Sequence, residues 1–301
     1  MKHVLAIDIG GSKLVCGVVA EDGTVLRTAG EPLCKEDGLE GLLLAVERCG
    51  HAVMGTELLS TVGATIPGLT DKVKGLWVYA PFSGLANIPI AELLKERFQL
   101  PVAIENDVNA CARAEMLWGV CQEKRDFLWM TVSNGVGGAL VLRGELYTGT
   151  CGNAGEVGHL CVEEDATRAL LCGCGRYGCL EAMASGQGLA KRYAEVGVTA
   201  KEIGMRAREG EIKACAVMAE TGCYVGRAIA DCVNILNLEA VILGGGVALD
   251  FALFESALQE AYQRRVFTRA NPSVKIGVTG LGYHAALLGA ATVAFDATQG
   301  A

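Results

Sequence analysis

Positive charge is scarce in this sequence. Lys and Arg number 26 against 34 Asp and Glu, a formal net charge of −8. That excess opposes binding to nucleic acid or to an anionic membrane and favours a small soluble partner. Long apolar runs are missing too. None reaches the roughly 18 residues of a membrane span, and the richest, Ala240 to Leu249, holds three glycines and stops at Asp250. The first ten residues carry one Lys and place Asp8 inside the first apolar stretch, unlike a signal peptide, so a cytoplasmic protein is expected. There is no low-complexity segment and no long linker. With 51% apolar and 20% charged residues over 301 positions, disorder and fibrous repeats are excluded, and one large domain or two ordinary ones can be built.

Cysteine, by contrast, is plentiful and odd in number, at 13. In a reducing compartment such thiols pack as small apolar groups, so a disulfide framework is not expected. Three of them, Cys172, Cys174 and Cys179, crowd into eight residues.

The 40 glycines cluster after apolar runs, where turns let the backbone approach a neighbour or ligand. Val4–Ile7 and Leu14–Val19 read as strands around Asp8-Ile9-Gly10-Gly11-Ser12-Lys13, with Glu21–Thr24 as a hairpin turn into Val25 and Leu26. The order returns in Phe127–Val132, the loop Ser133–Gly138, Ala139–Leu142, the turn Arg143–Glu145 and Leu146-Tyr147. Such repetition suggests an internal duplication, with two α/β domains facing each other across a ligand cleft. Helices are predicted over Ala91–Phe98, Asn109–Trp118, Gly188–Glu195, Ile212–Leu236 and Phe251–Arg265, and strands over Val102–Ile104 and Ala240–Leu243.

The first glycine loop joins two strands, and the chain has neither GxxxxGK[ST] nor a GxGxxG between strand and helix, so it is not a P-loop or Rossmann fingerprint. Read as a phosphate loop, Gly10 and Gly11 expose N–H groups, Ser12 and Lys13 add donors, and Asp8 holds hydrated Mg²⁺. Read plainly, it is a tight turn. Ser133, Asn134, Gly135 and Gly137 form a second such loop, and Gly244, Gly245 and Gly246 after a buried strand leave room for a base or ribose. Three loops together favour a nucleotide cleft. Asp107 follows a short strand and precedes a helix, where it can serve as an N-cap, as the base for a sugar hydroxyl, or as both.

His159 lies upstream of Cys172, Cys174 and Cys179, and one imidazole with three thiols suits a closed tetrahedral zinc site, structural rather than catalytic. The alternative is a packed cluster of reduced thiols. A metal there would bring Glu156, His159 and Glu181 together as partners for sugar hydroxyls. Four protein ligands leave no open position for an activated water, which argues against a zinc hydrolase.

These motifs resemble the ROK family (repressors, open reading frames and sugar kinases) from Leu5 to Ala291. Asp8–Lys13 is similar to the first phosphate motif, Ile66-Pro67-Gly68 to a sugar loop, and Glu105–Asn109 to the catalytic segment. Gly155–His159 and Cys172–Glu181 match the sugar and zinc signature, Val241–Val247 the adenosine motif, and Leu287–Ala291 the closing helix. The resemblance implies an actin-like, hexokinase-type α/β fold of two domains, 1–118 completed by a helix at 286–301, and 119–285. It also implies ATP and Mg²⁺, structural Zn²⁺, Asp107 as general base, and a sugar held by Gly68, Asn106, Asp107, Glu156, His159 and Glu181. A homodimer is implied as well.

The expected activity is ATP-dependent phosphorylation of a hexose, at C6, with glucose the leading substrate and N-acetylmannosamine or another hexose the alternative. Two departures matter. Phe82 stands where the family often has Asn, which opens the hexose choice, and Asn134 stands where Thr is usual, which is expected to alter nucleotide affinity. A sugar-sensing protein without catalysis is the other reading. Val4 begins the first strand, so no helix-turn-helix is expected ahead of it, and no nucleic-acid or membrane partner is expected.

Overall fold

The computed structural model describes residues 2–80, 84–271 and 273–299. Phe82 lies outside them. The chain divides into two compact units: Met1–Glu123 with Gly149–Asn153 and Tyr283–Ala301, and Lys124–Thr148 with Ala154–Gly282.

The first unit opens with β1 (His3–Ile9), whose Val4, Leu5, Ala6 and Ile7 are all buried, the signature of a strand covered on both faces. It turns into β2 (Lys13–Ala20) and β3 (Val25–Pro32), then α1 (Gly38–Val53) and β4 (Leu59–Ile66). A small antiparallel sheet follows, β5 (Leu69–Asp71), β6 (Leu76–Tyr79) and β7 (Ala86–Ile88), and then α2 (Ile90–Phe98), β8 (Val102–Asn106) and α3 (Asp107–Leu117). The main sheet has the order β3-β2-β1-β4-β8, antiparallel through the hairpins and parallel from β1 to β8.

The second unit repeats this plan. It runs β9 (Phe127–Val132), β10 (Val136–Leu142), β11 (Glu145–Tyr147), α4 (Leu180–Ala184), α5 (Gly186–Tyr193), α6 (Ala200–Arg208), α7 (Ile212–Leu236), β12 (Ala240–Gly244), α8 (Glu255–Arg265) and β13 (Lys275–Val278). Its sheet order, β11-β10-β9-β12-β13, matches the first position by position and in strand direction, so the duplication read from the hairpins extends to whole sheets. The last helix, α9 (Ala285–Gln299), packs on the first unit's sheet and on α3. Its approach is close enough that a Cβ on Gly289 would stand 2.7 Å from the Ala110 carbonyl carbon.

Several boundaries differ from expectation, three of them with a local cause. The second glycine loop is only Ser133–Gly135, because Val136 already pairs with Val132; Gly137 therefore sits inside β10 opposite Thr131. The helix expected from Asn109 begins at Asp107, since Asn106 caps it. The helix expected over Phe251–Arg265 gives its first three residues to a 3₁₀ stretch, Ala248–Leu253, and α8 starts at Glu255, the break falling at Phe254 (φ −130, ψ −2). No helix among the described residues is long and apolar enough to cross a membrane.

Candidate active site

In the first unit, β8 delivers Asn106 in extended conformation to the start of α3. Its Oδ1 accepts hydrogen bonds from the backbone N–H groups of Val108 (3.0 Å) and Asn109 (3.1 Å), so Asn106, not Asp107, is the N-cap. Asp107 is thereby released from capping. The Asn106 Nδ2 donates to Asp107 Oδ1 at 3.1 Å and to the Gly68 carbonyl at 3.0 Å, joining the expected sugar loop to the acid. Desolvation, reinforced by the charge of Asp8, pushes the Asp107 carboxyl up to about 7. Asp8, on β1, is likewise pushed up to about 6 by desolvation, against the opposing hydrogen bond from Thr65 Oγ1 at 2.9 Å and the charge of Lys13. Two carboxyls titrating near neutrality in one region can hold a cation or take up a proton.

The turn after β1 is closed by the Gly10 N–H, which donates to the Lys13 carbonyl at 2.9 Å, and the Ser12 carbonyl accepts from Leu33 N–H at 2.9 Å. A Cβ on Gly10 would stand 2.8 Å from the Lys13 oxygen. Ser12 and Lys13 are exposed and free to meet an anion, with Gly11 between the turn and them.

In the second unit, Ser133 N–H donates to the Gly135 carbonyl at 2.9 Å, and the Ser133 carbonyl accepts from Gly186 N–H at 2.7 Å. Glu181, on α4, accepts from Val136 N–H at 3.1 Å. Its carboxylate lies so near Gly135 that a Cβ there would be 2.8 Å away. Glu181 is therefore tied to the phosphate-type loop, with Asn134 exposed at its tip. Gly244 ends β12, and Gly245 follows at φ +91, a left-handed conformation suited to glycine. Gly246 comes beside Ser133, where a Cβ would lie 3.8 Å from the Ser133 Oγ. Two of the three glycine loops, far apart in sequence, thus meet within this unit.

Glu156 and His159 flank a short 3₁₀ turn, Val157–His159, with His159 Nε2 3.8 Å from Glu156 Oε2. The other ring nitrogen faces the thiols, with Nδ1 3.7 Å from Cys172 Sγ, while Cys174 Sγ and Cys179 Sγ are 3.6 Å apart. All four ligand atoms lie within 4.8 Å of one another. For metal–sulfur bonds of about 2.3 Å a tetrahedron has edges of about 3.8 Å, so the spacing fits one zinc-sized ion. Gly175 (φ +87) and Gly178 (φ +73) give the knuckle its reversals. Hydrogen bonds from Arg176 pull the Cys174 thiol down to about 6, toward the thiolate that a metal binds.

The structure thus gathers Asp8, Gly68, Asn106 and Asp107 in one unit, and Glu181 with its glycine loop, and Glu156 and His159 with the cysteines, in the other. Three contributors went unread in the sequence. Thr65 faces Asp8 across the β1–β4 register, Lys72 pairs with Glu105, and Arg176 bonds Cys174. For Thr65 and Lys72 no local pattern signals the contact, since the partners lie 57 and 33 residues away.

Residues 4–297 match the ROK family. The chain is 31% identical to the glucokinase of Streptomyces coelicolor, covering 98% of each chain, and 32% identical to the N-acetylmannosamine kinase of Salmonella typhi, covering 96% of this chain and 97% of that one. Among solved structures it superimposes on a ROK family glucokinase from Streptomyces griseus in complex with glucose and AMPPNP, with TM-score 0.86, 28% identity and coverage of 98% and 99%. It also matches a ROK hexokinase from Thermus thermophilus, with TM-score 0.80, 33% identity and coverage of 99% and 100%. The actin-like two-domain α/β fold expected from the sequence is the one shared with these structures. A match that takes in both sheets, the three glycine loops and the cysteine knuckle in one continuous stretch has a single explanation in descent: this chain belongs to the ROK family.

Proposed function

We propose that this protein is an ATP-dependent hexose kinase of the cytoplasm, with glucose as the leading substrate and C6 as the hydroxyl phosphorylated. The observation that carries the proposal is Asp107, a carboxyl freed from capping, oriented by Asn106 and pushed up to about 7 by desolvation and Asp8. A base that titrates near the working pH is matched to proton transfer from an alcohol. In the proposed reaction Asp107 accepts the hydroxyl proton as the sugar oxygen forms its bond to the γ-phosphorus of ATP. The bond from that phosphorus to the bridging oxygen breaks, and ADP leaves.

Asn106 and Gly68 position the sugar beside Asp107, and Glu156, His159 and Glu181 accept or donate to its other hydroxyls. Gly10, Gly11, Ser12 and Lys13, with Ser133, Asn134, Gly135 and Gly137, are assigned to the phosphates, and Gly244–Gly246 to the adenosine. Asp8 would hold Mg²⁺, which when bound neutralises charge on the phosphates. His159 Nδ1, Cys172, Cys174 and Cys179 would hold Zn²⁺, which stiffens the ring whose Nε2 faces Glu156. The proposed assembly is a homodimer, which light scattering of the purified protein checks.

The 32% identity to an N-acetylmannosamine kinase supports that sugar as the second reading. A coupled ADP-release assay on wild type and Asp107→Asn, against glucose, N-acetylmannosamine, N-acetylglucosamine, fructose and allose, decides between them. One strong substrate that the variant cannot turn over is the expected result. Silence of the wild type across the panel would favour a sugar sensor, and undiminished turnover by the variant would remove Asp107 from its role.

A further inference from the structure

Beside the acid just assigned stands one that no step uses. Glu105 is the penultimate residue of β8, two positions before Asp107, and it is 4% exposed. A buried carboxylate is costly unless its oxygens are paired. Here Oε1 accepts from Asn106 N–H at 3.1 Å and from Asn109 Nδ2 at 3.3 Å, and Oε2 accepts from Lys72 Nζ at 3.0 Å. Those first two donors belong to the segment that presents Asp107. Lys72 belongs to the connection between β5 and β6, in the small sheet that begins just after Gly68. Asn106 Nδ2 reaches the same sheet's entry through the Gly68 carbonyl. The segment that presents Asp107 is therefore held to the sugar loop and small sheet by two links, one neutral and one ionic.

We propose that Lys72 and Glu105 form a positioning pair that locks the Asn106–Asp107 segment in register with the sugar loop. The inference rests on the proposed role of Asp107. Neither residue touches reacting atoms. Glu105 fixes the Asn106 backbone and Asn109, and Lys72 ties Glu105 to the small sheet. A displacement of the base by a fraction of an ångström lowers the reaction rate much more than binding, because in-line transfer depends on near-attack geometry. Lys72 is half exposed, with 47% of its side chain accessible, so its replacement leaves no cavity.

The test uses the full chain with ATP–Mg²⁺ and either glucose or N-acetylmannosamine as probe. Lys72→Met is expected to lower kcat about tenfold or more with KM for ATP changed less than about threefold, on the scale that small misplacements produce. Lys72→Arg keeps the charge and is expected to restore most of kcat. In a Glu105→Gln background, Lys72→Met is expected to have little further effect, as coupled partners do.

Asp107→Asn runs alongside. If that variant retains wild-type kcat, or the wild type turns over neither probe, the reading of Asp107 fails and the inference with it. If Asp107→Asn is inactive but Lys72→Met keeps wild-type kcat, the positioning pair alone is overturned. A fall in kcat that tracks a fall in melting temperature and is not rescued by Arg would likewise overturn it, by making the pair a stabilising ion pair only.

Discussion

The two units share one sheet plan and use it for different chemistry. In the first, the strand–turn–strand opening carries Asp8 on β1, and the crossover to β8 carries Asp107, so the plan ends in two desolvated carboxyls. In the second, β9 carries no acid over Phe127–Val132, and its loop is instead tied down by Glu181 and Gly186. The soft donors His159, Cys172, Cys174 and Cys179 enter through an insertion between β11 and α5. What a duplicated scaffold preserves is backbone pairing, which depends on periodicity and hydrogen bonding. What each copy does depends on a few polar residues at strand ends.

The sharpest way to break the contrast is to remove the acid from one copy. Asp107→Asn is expected to lower kcat about 10³-fold, the scale of a lost general base, as read by the coupled assay. The same variant, without ligands, is expected to melt higher than wild type above pH 7. The sign follows from linkage: the folded state holds the Asp107 proton up to about 7 against an ordinary 3.8, so it binds more protons than the unfolded chain, and stability falls as pH rises between those values. Below about pH 4 the gain disappears. A melting curve independent of pH across this range would contradict the desolvated carboxyl.

The second unit is challenged through its donors. Cys172→Ala is expected to abolish zinc binding, from one ion per chain to none by elemental analysis, with a loss of melting temperature, since a structural ion's binding energy is folding energy. Retention of full zinc would leave the cluster as packed thiols. Next, kcat/KM of the wild type is expected to rise with pH through about 7 and level off above it, because only deprotonated Asp107 accepts a proton. Glu181→Gln is expected to weaken the bond from Val136 N–H by about 1 kcal/mol, roughly fivefold in KM for sugar or nucleotide, with kcat little changed. Smallest is Asn134→Thr at the exposed loop tip, expected to move KM for ATP within about twofold.

Much of this architecture was legible before any coordinates. Alternating apolar runs and turn residues marked the hairpins, and Ile212–Leu236 was read to its end residues because 25 positions of continuous helical pattern leave little ambiguity. Boundaries differ where a cap or a local break in the backbone overrides the apolar pattern. Asn106 takes the cap that Asp107 could have taken, and the helix expected from Phe251 starts only at Glu255, because the backbone leaves the helical region at Phe254 (φ −130, ψ −2). The small sheet of Leu69–Ile88 carried too short a pattern to read.

Composition, periodicity and motif spacing by themselves determined the α/β class, the repeated hairpins and the residue types at the candidate site, because each is a property of neighbours along the chain, and the resemblance of those motifs pointed to the family. Only the tertiary structure decided that Thr65 bonds Asp8, that His159 turns Nδ1 to the cysteines and Nε2 to Glu156, and that Lys72 reaches Glu105. Except for His159 with Glu156, those are contacts between groups 13 to 57 residues apart in sequence, and desolvation, which pushes Asp107 up to about 7, exists only once the chain has closed around it.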